Sequence, residues 1–218
     1  MSAAAMAEEM TLGNLSLRNE PVQARSAARL AGLLDAAAAV IDELGYERLT
    51  TAMVAERAGA SIGTVYRYFP DRIAVLQALG ARNLDRVLSK VTEEVAATRH
   101  TTWVDALNGA FDALEDAFRS EPGFRSLRVG DVIDLRPAPN DRTYNSIVAE
   151  ATLDALATRF DLKLDDETRF TFEAVIELFD GLAARAFSRE SAGETRFLQV
   201  ARDASQALLA PRFDAASA

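Results

Sequence analysis

Apolar residues recur along this chain at steps of three and four rather than in alternation. From about Val22 to Leu44 the positions Leu30, Leu33, Leu34, Ala37, Ile41 and Leu44 predict one helix with a single buried face. Gly45 is a natural stop, because it takes the left-handed conformation at low cost. Thr50 or Thr51 then caps a second helix with Val54, Ala55 and Ala58 on its inner face, and Gly59 permits a tight turn. Ser61 caps a third short helix that ends near Phe69 and Pro70. Asp71 opens a long fourth helix, with Ile73, Leu76, Leu79, Leu84, Val87, Leu88 and Val91 as its apolar positions. Further helical blocks are predicted over about 102–119, 123–133, 142–160, 166–189 and 194–209, with a proline-bearing loop at 135–141. The expectation is an all-α fold of about nine helices. Residues 1–21 read as a flexible tail, 22–72 as a small head with a helix-turn-helix, and 73–214 as a helical body.

Composition narrows the chemistry. Apolar residues make up 49% of the 218, enough for a sizeable core. There is no cysteine, so disulfides, thiolate metal sites and thiol catalysis are excluded together. A hydrolytic triad needs a histidine beside a nucleophile, and the lone His100 has no such context; it reads as a surface residue at a helix junction. No His-x-x-x-His spacing offers a metal site. The chain therefore does not read as an enzyme, and no cofactor or metal is expected. The start carries no signal-peptide pattern, and the most apolar stretch, Leu30–Leu44, is broken by Asp35 and Asp42. A cytoplasmic protein with no membrane partner is the expectation. Net charge is −9, but it is uneven: residues 1–80 hold seven arginines and nine acids, while the remainder carries −7. A near-neutral head on an acidic body favours one orientation toward a polyanion.

The stretch from Leu49 to Leu76 is the most informative, because a short helix, a turn and a second short helix can set that second helix in a DNA major groove. Its residues Thr51, Val54, Ala55, Ala58, Gly59, Ser61, Gly63, Thr64, Tyr66, Tyr68, Phe69, Arg72 and Leu76 closely resemble the head of the tetracycline-repressor (TetR) family of bacterial transcriptional regulators. Ser61, Ile62, Gly63 and Thr64 are slender enough for close approach to a groove floor. Arg67 suits either a guanine edge, through two bonds to O6 and N7, or a phosphate. Tyr66 and Tyr68 can offer hydroxyls to phosphates, as can Thr50 and Thr51. Arg72, where the family commonly has lysine, resembles a phosphate clamp; Arg25, and Arg18 in the tail, could meet the backbone or a minor groove.

The resemblance implies a homodimer reading a palindromic operator and released by a small-molecule effector. Phe170–Phe187 is apolar on more than one side, so it must be covered on two. Phe179, Leu182, Ala186, Phe197, Ala201, Ala204 and Leu208 are the candidate dimer residues. Trp103, Phe111, Phe118, Phe124 and Phe172 either line an effector pocket or fill the core; as a lining they favour an apolar or aromatic effector. The tetracycline–magnesium mode of the name-giving member relies on histidine, which this chain scarcely has. The alternative is a helical adaptor for a protein partner, with the helix-turn-helix as scaffold only.

Overall fold

The structure is a computed structural model and describes residues 20–130 and 142–214. The predicted tail with Arg18, and the loop at 135–141, lie outside the described residues. Among the described residues there are nine α-helices, one 3-10 turn and no strand. They divide into two compact units: Met1–Asn83 with Pro122–Leu135, and Leu84–Glu121 with Arg136–Ala218.

The first unit holds α1 (Glu20–Leu44), the 3-10 turn (Tyr46–Arg48), α2 (Thr51–Arg57), α3 (Ile62–Tyr68), the first half of α4 (Arg72–Ala96) and α6 (Phe124–Val129). Its core joins Leu33, Ala37 and Ile41 of α1 to Leu49, Val54, Val65, Phe69, Val75, Leu76 and Leu79. Removing these side chains from water is what holds the short helices, since seven-residue helices do not persist alone. The caps are local: Thr50 Oγ1 accepts from the Met53 N–H at 3.2 Å, Ser61 Oγ from the Thr64 N–H at 3.1 Å, and Asp71 Oδ1 from the Ala74 N–H at 2.8 Å. Gly59 takes φ +58, the left-handed value that lets the chain reverse between α2 and α3.

This unit is larger than the head expected at residues 22–72. It extends through α4 to Asn83, where Arg82 pairs with Asp35 of α1 at 2.7 Å. It also takes in α6, which the sequence reading assigned to the body. The reason is a polar anchor beside an apolar one. The Gly123 N–H donates to Asp42 Oδ1 at 2.8 Å, and Phe124 and Leu127 are buried.

The second unit holds the rest of α4, α5 (Trp103–Ser120), α7 (Tyr144–Phe160), α8 (Asp166–Phe187) and α9 (Thr195–Phe213). Helix α8 packs against both α7 and α9. A capping box starts α5, with Thr102 accepting from the Asp105 N–H and Asp105 accepting from the Thr102 N–H. Helix α9 runs past the expected end at Leu209 and through Pro211, because Phe213 is buried against Trp103 and Phe172 and holds the last turn in place. Arg202 reaches from α9 to the Asn108 carbonyl, Asp112 and the buried Glu115. His100 is not a surface residue: its side chain is 12% exposed and its Nε2 lies 2.9 Å from Glu94 Oε1, over Gly109, where a Cβ would collide with both.

Candidate nucleic-acid interface

The face that could meet DNA is built on α2 and α3. Val65 and Phe69 point into the core and fix the roll of α3, which turns Ile62, Gly63, Tyr66 and Arg67 outward. Ile62 is 43% exposed and Tyr66 54%, unusual for an isoleucine and a tyrosine in a packed head. The Thr51 hydroxyl donates to the Tyr66 hydroxyl at 3.4 Å, which ties the start of α2 to the outer face of α3. Ser61 Oγ and Thr64 Oγ1 share a 2.9 Å hydrogen bond at the tip of α3. A Cβ added at Gly63 would meet only Ser61 Oγ, at 3.9 Å. Nothing inside the protein asks for glycine there.

The cations sort themselves by partner. Arg57 is spent on Glu43, with both guanidinium nitrogens on the carboxylate at 2.8 and 2.6 Å. Those hydrogen bonds hold the Glu43 carboxyl below its ordinary range. Arg72 does not present the open phosphate clamp that the resemblance implied: its Nη2 donates to the Tyr46 carbonyl at 2.9 Å. Tyr68 is likewise turned inward, its hydroxyl 3.1 Å from Ser26 Oγ of α1. Arg25 and Arg67 are exposed and carry no ion pair among the described residues. Two more exposed arginines with no such partner, Arg29 and Arg48, escaped the sequence reading. Arg29 was legible one helical turn after Arg25; Arg48 was not, because its exposure depends on the 3-10 turn.

The body residues redistribute as well. Phe111 stacks on Phe179 with centroids 4.0 Å apart and Phe118 on Phe187 at 5.0 Å, while Phe172 is fully buried. Trp103 packs edge-on to Phe213 and donates from Nε1 to Asp214 at 2.8 Å. These rings are occupied by one another. Phe124 is buried and belongs to the first unit. Of the expected dimer residues, Phe179, Ala186 and Ala201 are buried within their own chain and offer no surface to a partner. Leu182, Phe197 and Ala204 are half-buried and Leu208 is 46% exposed. Phe170, at 67% exposure, and Val200, at 56%, join the outer face of α8 and α9. Among the described residues, no group of three or more ligating side chains could hold a metal, and no helix is long and apolar enough to cross a membrane.

Comparison with known proteins gives the family. The family described as bacterial regulatory proteins, tetR family, matches residues 33–79, and the tetracyclin repressor-like C-terminal domain matches residues 101–213. The chain belongs to the TetR family. A TetR-family transcriptional regulator from Streptomyces coelicolor is 33% identical, with a TM-score of 0.71 over 86% of this chain and 98% of that one. The HTH-type transcriptional repressor KstR of Mycolicibacterium smegmatis is 34% identical over 90 residues, 41% of this chain and 43% of KstR. The nucleoid occlusion factor SlmA of Haemophilus influenzae is 29% identical over 96 residues, 44% of this chain and 43% of SlmA. The match thus spans less than half the length of these curated relatives. TetR-family proteins are DNA-binding transcriptional regulators, not enzymes, and that is the class of this protein.

Proposed function

We propose that this protein is a homodimeric cytoplasmic repressor that binds a palindromic operator and leaves it when a small apolar or aromatic effector binds the body. The observation that carries the reading is the outward face of α3. It is exposed, slender at Gly63, and bears Tyr66, tied only to Thr51 of α2, and Arg67, which has no ion pair among the described residues. Repression is favoured by the name of KstR, a transcriptional repressor. Dimerisation is supported by the outer face of α8 and α9. Phe170, Leu182, Val200, Ala204 and Leu208 leave apolar surface uncovered there, and Gly181 has nothing within 4 Å of a would-be Cβ. A dimer that reads a palindrome needs its two recognition helices roughly 34–36 Å apart, one turn of duplex.

Effector release requires tighter binding to the arrangement that DNA disfavours. An effector among α4, α5, α7 and α8 would exchange ring–ring contacts for ring–ligand contacts, and a shift of α4 would alter the spacing of the heads.

The test is selection of duplexes by the purified protein, followed by binding to the recovered sequence with salt titration and light scattering. A dimer that binds saturably, weakened in Arg67→Ala and Tyr66→Ala, is the expected result. A monomer at micromolar concentration would remove the palindromic reading. A protein that selects no DNA would favour the adaptor. DNA binding without any effect on transcription would point instead to nucleoid occlusion, the role that SlmA is named for.

A further inference from the structure

We infer that the 3-10 turn Tyr46–Arg48 is a built phosphate-gripping corner, with Arg48 as the gripping residue. The inference rests on the DNA-binding reading above and adds a contact outside the helix-turn-helix itself. Three observations lead to it, all within the first unit.

The turn is pinned from two sides. On one, Arg72 at the start of α4 donates to the Tyr46 carbonyl at 2.9 Å. On the other, Gly130 at the end of α6 stands so close to the Tyr46 ring that an added Cβ would lie 2.5 Å from Cε1. The turn closes on itself as well, with the Arg48 N–H on the Gly45 carbonyl and the Leu49 N–H on the Tyr46 carbonyl. The completely buried Leu49 then leads directly into the Thr50 cap of α2. A segment of three residues is thereby held more firmly than a surface turn needs.

What the turn holds out is a cation. Arg48 is exposed and has no ion pair among the described residues, whereas Arg57, Arg72 and Arg82 of the same unit are all engaged. The nearby carboxylate of Glu43 is already covered by Arg57. An arginine on a pinned backbone loses less freedom on binding a phosphate than one on a loose loop.

The partner is a DNA phosphate rather than an acidic protein, because Arg48 stands three residues before Thr51, whose hydroxyl is bonded to Tyr66 of the exposed face of α3. Phosphate contacts fix register without reading sequence. Arg48 is assigned to positioning α3 on the duplex and not to choosing the operator.

The experiment measures affinity against salt for a selected operator and for a scrambled duplex of equal length, using the full chain. The slope of log K against log salt changes by about 0.9 per phosphate neutralised. Arg48→Ala is expected to flatten the slope by about one per protomer, about two for a dimer, equally on both duplexes. Arg48→Lys should keep most of the slope. Gly130→Ala, which displaces Tyr46, should weaken binding in the wild-type background and add nothing in Arg48→Ala. Thermal melts establish that each variant is folded, and the Arg48 series decides alone if Gly130→Ala is not. An unchanged slope in Arg48→Ala overturns the assignment while leaving DNA binding intact. A loss confined to the operator overturns it too, since that marks a base contact. Failure of the unmodified protein to bind either duplex refutes the DNA-binding reading itself.

Discussion

No contact within the chain requires glycine at Gly63. Glycine inside a helix costs up to about 1 kcal/mol relative to alanine, and at Gly63 a Cβ would meet only Ser61 Oγ, at an ordinary 3.9 Å. Gly63→Ala should therefore leave the melting temperature unchanged or raise it slightly. On the proposed docking of α3, operator affinity should fall by about tenfold, about 1.4 kcal/mol, because a methyl at this position would hold α3 off the groove floor. Calorimetry and a binding titration on one preparation check both halves; unchanged affinity would mean that the groove does not close on Gly63. At the same scale the sequence offered Tyr66, Arg67, Tyr68 and Arg72 alike as DNA-contacting residues. Side-chain type alone did not separate the two pairs. The inward turn of Tyr68 depends on Ser26, and that of Arg72 on the Tyr46 carbonyl, both far away in sequence.

Helix α4 shows what periodicity can and cannot disclose. Val75, Leu79, Val87 and Val91 fall on one stripe, each fully buried, and Asn83 interrupts it at 3% exposure. Among the described residues, neither polar atom of the Asn83 amide has a hydrogen-bond partner. A buried unsatisfied polar group costs about 1–3 kcal/mol, and an apolar replacement of similar shape removes that cost. Asn83→Leu is expected to raise stability by about 1 kcal/mol, or a melting temperature increase of about 2–4 °C for a chain of this length. A fall in chemical-denaturation midpoint would show that a buried water serves the amide. The pattern also located α5, α7 and α8 to within two or three residues, since their apolar stripes and caps lie in adjacent sequence. It missed the final turn of α9, where a proline normally ends a helix and a distant phenylalanine pocket overrules it.

Across the whole molecule, acid is the condition that should undo the fold. Burial raises the Glu121 carboxyl, but hydrogen bonds from Lys90 and Arg86 outweigh it and hold it below its ordinary value. Glu94 is governed the same way, burial opposed by His100 and Arg99, with the net direction downward. Hydrogen bonds around the Thr168 N–H and hydroxyl lower Asp165 at the cap of α8. A carboxyl depressed in the folded state adds stability that is complete above its unfolded pKa and is lost as pH falls through the folded one. Urea midpoints should be flat from neutral pH down to about pH 5 and then drop below about pH 4. In Glu121→Gln that drop should be shallower, because one of the groups that takes up a proton is gone. An equally steep drop would place the acid sensitivity elsewhere.

By itself the sequence determined the helical class, most helix positions, the caps and the family, because these follow from residues within one or two turns of each other. It determined the outward face of α3 as well, through Val65 and Phe69 on the opposite side. Tertiary structure decided which unit each segment joins and which side chains remain available. Phe124 and Leu127 went to the head because Asp42 anchors Gly123, eighty-one residues away. Phe111, Phe118, Phe179 and Phe187 closed on each other in stacked pairs, so the apolar faces of α5 and α8 became core. Arg48 was left facing solvent while Arg57 and Arg72 were taken. Local free-energy preferences write the first set of features; competition among distant partners for the same side chain settles the second.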